Sequence, residues 1–335
     1  MANFLKGKEG RNSLSLVVFL GILAAVLLAL PYFLTNSYKY NLEANLDGGE
    51  VFGKDVNLLF VGDIMLSRGV GNIMERTNNW RFPFLETADF LKEADLTMGN
   101  LEGPISSGGA DVGGVYSFRA DPRAIEGLLY AGFDVLSLAN NHIWDYGPQA
   151  FIDTIELLKG ADISPVGGRL NYERAYGPVV KKVGNTEIAY LAYTNLVPVT
   201  LSYGAPAVAF LDPDIVVSDV RVAKSQADIV IVSVHWGDEY ETKENDFQKS
   251  TAHALIDAGA DIIVGHHPHV IQPLEQYGNG FIAYSLGNFV FDQNFSEDTK
   301  EGAVLKVVLK NKKIYSVKEL KVKFNESYQP FLVES

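Results

Sequence analysis

The longest apolar stretch of the chain covers residues 14–34, where Ser15 and Pro31 are the only mild exceptions. At 1.5 Å per residue, about 20 residues cross the roughly 30 Å hydrocarbon core of a bilayer. A buried soluble helix and a cleaved signal peptide are the rival readings. A signal peptide has an apolar core of only about 7–15 residues and ends at a small-x-small site. This run is longer and leaves through Pro31-Tyr32-Phe33-Leu34, with Tyr32 suited to the interface. It predicts an uncleaved transmembrane anchor. Lys6, Lys8 and Arg11 precede the run and Lys39 follows it, so residues 1–13 are expected in the cytoplasm and the body outside. Residues 35–54 are polar, with Gly48 and Gly49 among them, and read as a short tether. Residues 55–335 are left as one extracytoplasmic domain of a single-pass cell-membrane protein.

Within that domain, short apolar runs end in small or polar residues. Residues 56–61 end at Gly62-Asp63, 96–98 at Gly99-Asn100 and 135–139 at Asn140-Asn141-His142. Residues 229–234 end at His235-Trp236-Gly237, and 262–264 at Gly265-His266-His267-Pro268-His269. Compact apolar runs of this length predict buried strands. Helical patterns lie between them: residues 122–131 behind Asp121-Pro122, 148–159, and 247–258 running into Gly259. Alternating strands and helices predict an α/β layered domain. The later runs 179–183, 187–193, 280–286, 303–309 and 314–324 are separated by short turns and predict hairpins or a second, antiparallel sheet. Two face-to-face sheets with helices outside satisfy both patterns.

Composition narrows the chemistry. The net charge is −13 and no basic patch is evident, which argues against nucleic acid as a partner. There are no cysteines, which excludes disulfides, thiolate metal sites and Cys nucleophiles. Of the 6 histidines, His142, His235, His266, His267 and His269 all fall at strand ends, and only His253 lies in a predicted helix. Ligands of open α/β domains bind at those ends. Imidazole and carboxylate without thiolate suit a divalent metal such as Zn, Mn or Fe. Two such ions about 3.5–4 Å apart clamp both the attacking and the leaving oxygen of a phosphoryl transfer.

The motifs also carry a resemblance. Gly62-Asp63, Gly99-Asn100-Leu101-Glu102, Asn140-Asn141-His142, His235 and Gly265-His266-His267-Pro268-His269 follow the order of the calcineurin-like metallophosphoesterase motifs. The longer strings Gly62-Asp63-Ile64-Met65-Leu66, Asn140-Asn141-His142-Ile143-Trp144-Asp145-Tyr146-Gly147, His235-Trp236-Gly237-Asp238-Glu239-Tyr240 and Ser285-Leu286-Gly287-Asn288-Phe289 resemble the CapA family of bacterial capsule or poly-γ-glutamate synthesis proteins. The resemblance spans residues 57–292. It implies a four-layer α-β-β-α metallophosphoesterase-like sandwich behind a single N-terminal anchor. It also implies Asp63 as the first-strand carboxylate ligand, with Asn141, His235, His267 and His269 as further metal ligands. His142 would be the general acid or the substrate-orienting group. Glu102 or Asn100 would take the bridging place, and His266 offers another register for the His-x-His pair.

Two departures from the phosphoesterase pattern stand out. Met65 occupies the place of the histidine in Asp-x-His, and Asn100 stands where Gly-Asp is usual. One well-formed metal position (Asn141, His235, His267 and Glu102) and one depleted position are therefore expected. Asn100, Asp145, Trp236, Glu239 and Asn288 are candidate substrate contacts. Packing is the preferred role for Trp144 and Trp236, while turn capping competes for Asp145 and a solvated loop for Glu239 and Glu241. Asn288 and Asp292 offer a polar wall, and residues 106–114 read as a Gly-rich surface loop. Three functions fit this pattern: a membrane-bound part of anionic-polymer synthesis or export, a metal-dependent extracellular phosphoesterase, and a non-catalytic scaffold docking on ligase and membrane subunits of a polymer synthase.

Overall fold

The computed structural model describes residues 54–170, 175–196 and 206–333. The proposed anchor and all of the tether except Lys54 lie outside them. Among the described residues no helix is long and apolar enough to cross a membrane.

The chain forms a mixed α/β sandwich. The first sheet has strand order β16-β15-β14-β1-β2-β3-β4. Its parallel half comprises β1 (Val56–Ile64), β2 (Leu96–Leu101), β3 (Val135–Ser137) and β4 (Ser164–Val166). Its antiparallel half comprises β14 (Glu301–Lys310), β15 (Lys313–Phe324) and β16 (Pro330–Leu332). The second sheet has order β11-β12-β10-β9-β7-β6. Its parallel centre is β7 (Thr186–Thr194), β9 (Ile229–His235), β10 (Ile262–His266) and β12 (Gly280–Ala283). Antiparallel β6 (Val179–Val183) and β11 (Leu274–Tyr277) close its two edges. A two-stranded ribbon joins β5 (Gly168–Arg169) to β8 (Ala207–Val208).

The period of two along each strand sets the layers. On β7, Ile188, Tyr190 and Ala192 join the core shared with the first sheet, whereas Ala189, Leu191 and Tyr193 join a second core. On β9, Ile229 and Ile231 face the first sheet, and Val230, Val232 and Val234 face away. The second core is closed by helices α5 (Pro213–Lys224) and α6 (Asp246–Ala258), through Val216, Val220, Ala252 and Leu255. Helices α1 (Arg68–Thr77), α2 (Ala88–Leu91), α3 (Ile125–Ala131) and α4 (Gly147–Gly160) contribute Met74, Leu91, Leu128 and Phe151 to the core of the first sheet. A strand buried on both faces needs an unbroken apolar run, which is what β1 and β9 supply.

The expected helices form. Residues 122–131 enter through one 3-10 turn (Pro122–Ala124), capped by the Asp121 side chain on Arg123 N–H, before continuing as α3. α6 starts at a reciprocal capping box between Asn245 and Gln248 and stops at Gly259 in the left-handed region. Two strands are shorter than their apolar runs. β3 ends at Ser137 rather than residue 139, and β12 ends at Ala283 rather than residue 286. Beyond Ala283 the chain leaves the second sheet: Tyr284 O accepts the Trp236 indole N–H at 3.0 Å, and Leu286 N donates to Gly265 O at 3.1 Å. It then crosses to the first sheet, where β13 (Asn288–Val290) pairs with the end of β1 in the register Asp63↔Asn288. The apolarity of residues 284–286 belongs to this crossing.

Candidate metal centre

Close backbone approach fixes the strand ends. A Cβ on Gly62 would lie 2.0 Å from Gly287 O, and one on Gly265 would lie 1.8 Å from Tyr284 O, so only glycine fits before Asp63 and before His266. Asp63 is the penultimate residue of β1, fully buried, and gathers contacts from both sheets. Its Oδ1 accepts from Asn100 Nδ2 at 2.8 Å, and its Oδ2 accepts from His267 N at 3.2 Å. His266 Nδ1 lies 3.3 Å from Oδ1, and His269 Nδ1 lies 3.3 Å from Oδ2. Asn100, on neighbouring β2, accepts from Asn140 Nδ2 at 3.1 Å and places its own amide 3.3 Å from His235 Nδ1. The other Nδ2 bond of Asn140 goes to Leu101 O at 2.8 Å.

The second sheet presents the imidazoles. β9 and β10 pair in the register His266↔His235, so the two rings leave adjacent strand ends together. His267 and His269 then turn inward at φ 98 and φ 59, a conformation that costs a non-glycine residue on the order of 1–3 kcal/mol. His235 Nε2 meets Asn141 Oδ1 at 2.8 Å. His269 Nε2 approaches Glu102 Oε1 at 3.6 Å, and its Nδ1 approaches Asn288 Oδ1 at 3.0 Å. His142 sits half-buried at the rim, with Nδ1 2.7 Å from Asp145 Oδ2 and Nε2 4.0 Å from Glu102 Oε1.

Two donor groups are tight enough to hold an ion. The ligand atoms of Asp63, Glu102 and His235 lie within 4.8 Å of one another, as do those of Glu239, His267 and His269. Glu102 Oε1, His267 Nδ1 and His266 Nε2 are buried without a hydrogen-bond partner, while His266 Nδ1 is taken up by Asp63. Such atoms are costly unless something binds them. Oxygen and imidazole donors, several of them orphaned, fit a divalent metal.

The charges are correspondingly displaced. Burial works to raise the Asp63 carboxyl, but the His266 and His269 rings outweigh it and hold it well below the ordinary range. Burial lifts the Glu102 carboxyl well above that range, with the charge of Asp63 adding to the effect and that of His269 opposing it. Burial, reinforced by His267, lowers His235, and burial with His269 lowers His267 to about 3. Burial also works to lower His269, yet Glu102 and Asp63 pull it up to about 9. Opposite displacements among touching groups make the cluster a candidate functional site.

The residues singled out by sequence thus converge, in different ways. Asp63, Glu102, Asn141, His235, His267 and His269 line the cluster, Asn100 braces it from β2, and Glu239 reaches it from the exposed loop after β9. Asn288 lies behind His269, and Asp145 holds both His142 and the Phe118 N–H (2.8 Å). Trp236 does not form a wall. It is fully buried in the second core, its N–H on Tyr284 O, because its side chain points away from the rim that His235 faces. Trp144 stacks on Phe151 at 4.8 Å. Asp292 caps α1 through Gly69 N at 2.9 Å. Met65 is fully buried with Phe118 and Phe291 and accepts from Ser67 Oγ at 3.0 Å. Apolar packing therefore occupies the place of the missing imidazole. Sequence reasoning assigned no role to Asn140, although its place in Asn140-Asn141-His142 was visible, and overlooked Phe118, whose ring lies 4.0 Å from that of His142.

Comparison with known proteins places the chain in a family. Residues 57–293 match the family model described as bacterial capsule synthesis protein PGA_cap. The capsule biosynthesis protein CapA of Bacillus anthracis is 33% identical over 320 residues, covering 92% of this chain and 75% of that protein. The PGA biosynthesis protein CapA of Bacillus subtilis (strain 168) is 33% identical, covering 85% of this chain and 77% of that one. A probable polyglutamine synthesis accessory protein of Mycobacterium tuberculosis is 32% identical, covering 71% and 74%. The chain belongs to the PGA_cap family of bacterial capsule synthesis proteins.

Proposed function

We propose that this protein is a membrane-anchored component of poly-γ-glutamate or related capsule-polymer synthesis or export, acting through a divalent-metal centre on a metallophosphoesterase-like sandwich. The observation that carries this reading is the convergence of buried, partly orphaned oxygen and imidazole donors from two sheets in a chain of the capsule-synthesis family. The relatives' names supply the polymer. Residues 14–34 would anchor the chain with its N-terminus in the cytoplasm and the domain on the extracellular face, beside the ligase and membrane subunits of a synthase.

Asp63, Glu102 and His235, with Asn141, would hold one ion, and Glu239, His267 and His269 a second, more exposed one. A bound divalent ion polarises a carbonyl or phosphoryl oxygen. The protein's own part is orientation and proton handling. Asn100 fixes the Asp63 carboxylate, and Asn288 fixes the His269 ring. Asp145 fixes the proton of His142 on Nδ1 and leaves Nε2, on the Glu102 side, to take up or deliver a proton.

The test is twofold: metal analysis of the purified full chain, and polymer production by cells carrying Asp63→Ala at normal protein level. Bound divalent metal together with lost polymer is the expected result, and undiminished polymer overturns the reading. The placement of His142 favours a second reading, a metal-dependent phosphoesterase. Turnover of simple phosphoesters with added Mn or Zn, abolished by His142→Ala, would establish that instead.

A further inference from the structure

We propose that Arg68 is an anion-binding, specificity-determining residue that holds a second carboxylate of the polymer while the neighbouring one lies at the metal centre. This rests on the polymer-handling reading above.

Arg68 begins α1, just beyond the end of β1, and sits at φ 50. A left-handed arginine is strained, and strain retained beside a candidate site points to a use for it. The side chain is held from below and from the side. Nη2 pairs with Asp292 Oδ1 at 2.9 Å, while the other carboxylate oxygen of Asp292 takes the N–H of Gly69. The guanidinium lies over two rings, 5.2 Å from the centroid of Phe118 and 5.7 Å from that of Tyr116. Stacking and ion pairing fix the plane of a guanidinium but engage few of its five N–H donors. Among the described residues Asp292 is the acidic partner of Arg68, whose side chain remains 36% exposed.

The position matters more than the charge. The Phe118 ring under Arg68 lies 4.0 Å from the ring of His142 and 5.7 Å from that of Phe291, which in turn lies 4.8 Å from His269. One aromatic layer therefore separates Arg68 from the rim that carries His142 and His269. That layer is the Met65, Phe118 and Phe291 cluster, which fills the place of the missing imidazole. The metal cluster is rich in carboxylates (Asp63, Glu102 and Glu239), so an anion reaches it only through the metal or a cation nearby. A polymer with a carboxylate on every residue can set one at the metal and the next across the apolar ridge on Arg68. A single compact anion such as phosphate fills only the first place.

The test uses the full chain in detergent, loaded with Mn²⁺. Binding of a short γ-linked glutamate oligomer and of inorganic phosphate is measured separately, alongside metal affinity and thermal unfolding. Arg68→Gln is expected to weaken the oligomer roughly ten- to hundredfold, the worth of one charge-assisted hydrogen bond, and to leave phosphate and metal binding unchanged. Arg68→Lys keeps the charge without the planar fork and is expected to recover part of the loss. Arg123→Gln, whose guanidinium pairs with Asp121 and covers Trp80, serves as the surface-charge control and should change nothing. Wild-type oligomer affinity in Arg68→Gln overturns the inference while leaving the proposed function standing. Equal losses for phosphate and oligomer also overturn it, because Arg68 would then serve the metal-bound anion. If wild type binds neither ligand, the polymer-handling reading fails and Arg68 falls with it. Should Arg68→Gln unfold early, Arg68→Lys decides: native melting with weaker oligomer binding supports the role, and native binding overturns it.

Discussion

The first sheet brings mainly oxygen to the cluster, and the second mainly nitrogen, with Glu239 its carboxylate there. Asp63, Asn100, Glu102, Asn140 and Asn141 come from the ends of β1, β2 and β3, whereas His235, His266, His267 and His269 come from β9 and β10. The two rims are also held differently. On the oxygen side the side chains brace one another, from Asn140 to Asn100 to Asp63, in direct hydrogen bonds of 3.1 and 2.8 Å. On the nitrogen side Asn141 and Asn288 each reach one ring, at 2.8 and 3.0 Å, and the remaining support is backbone and packing: two left-handed histidines, a glycine pressed on the Tyr284 carbonyl, and an indole behind them. A side-chain network tolerates small adjustments bond by bond. A packed backbone does not, so the imidazole rim is the part most exposed to distant core mutations.

The sharpest way to break that contrast is Trp236→Ala. The residue is fully buried, and its indole N–H satisfies the carbonyl at which the chain leaves the second sheet. Truncation is expected to cost about 3–5 kcal/mol in denaturant unfolding. It should also weaken metal binding, although Trp236 touches no ligand atom of the cluster. A loss below about 1 kcal/mol would show that the nitrogen rim does not depend on the packing behind it.

How far the sequence led follows the same division. Apolar runs ending in Gly-Asp, Gly-Asn or Gly-His were readable because a strand buried on both faces is a local pattern, and the ligand sits where the pattern stops. The facing of single residues was readable only in part. Trp236 adjoins His235 yet points to the opposite core, since neighbours on a strand end face opposite ways. Asn140 and Asn141 look alike in sequence, but one braces β2 and the other meets His235. Phe118 and Arg68 lie outside the periodic strands and take their roles from partners at residues 142 and 292. The boundary of β12 failed because apolarity at residues 284–286 serves a crossing between sheets, which no strand period encodes.

A smaller effect tests the nitrogen side directly. His235→Ala removes an imidazole that closes the Asp63 and Glu102 group. Calorimetry with Mn²⁺ on the metal-stripped full chain should show affinity falling by more than the roughly 10–100-fold that outer supporting residues cost. Affinity within tenfold of wild type would remove His235 from the ligand set. In the same experiment, pH reports on His269. Its pKa is raised to about 9 by Glu102 and Asp63, so at pH 7 it carries a proton that a ligand must give up. Metal affinity should therefore rise with pH up to about 9, and binding at pH 7 should release a proton, visible as a dependence of the heat on buffer ionisation. A flat profile between pH 7 and 9 would show that metal binding displaces no proton from His269.

The smallest expected effect concerns the one place where the oxygen rim lacks its usual imidazole. Met65 is buried among Phe118 and Phe291, and its sulfur accepts from Ser67 N–H and Oγ at 3.2 and 3.0 Å. With its sulfur turned to Ser67, Met65 belongs to the apolar ridge rather than to the ligands. Met65→Leu keeps the volume and loses only weak bonds to sulfur, so the expected cost is below about 1.5 kcal/mol in unfolding, with metal affinity and stoichiometry unchanged. A tenfold loss of affinity, equivalent to about 1.4 kcal/mol, would mean that the thioether engages the ion after all. The two rims would then differ in the softness of their donors as well as in how they are held.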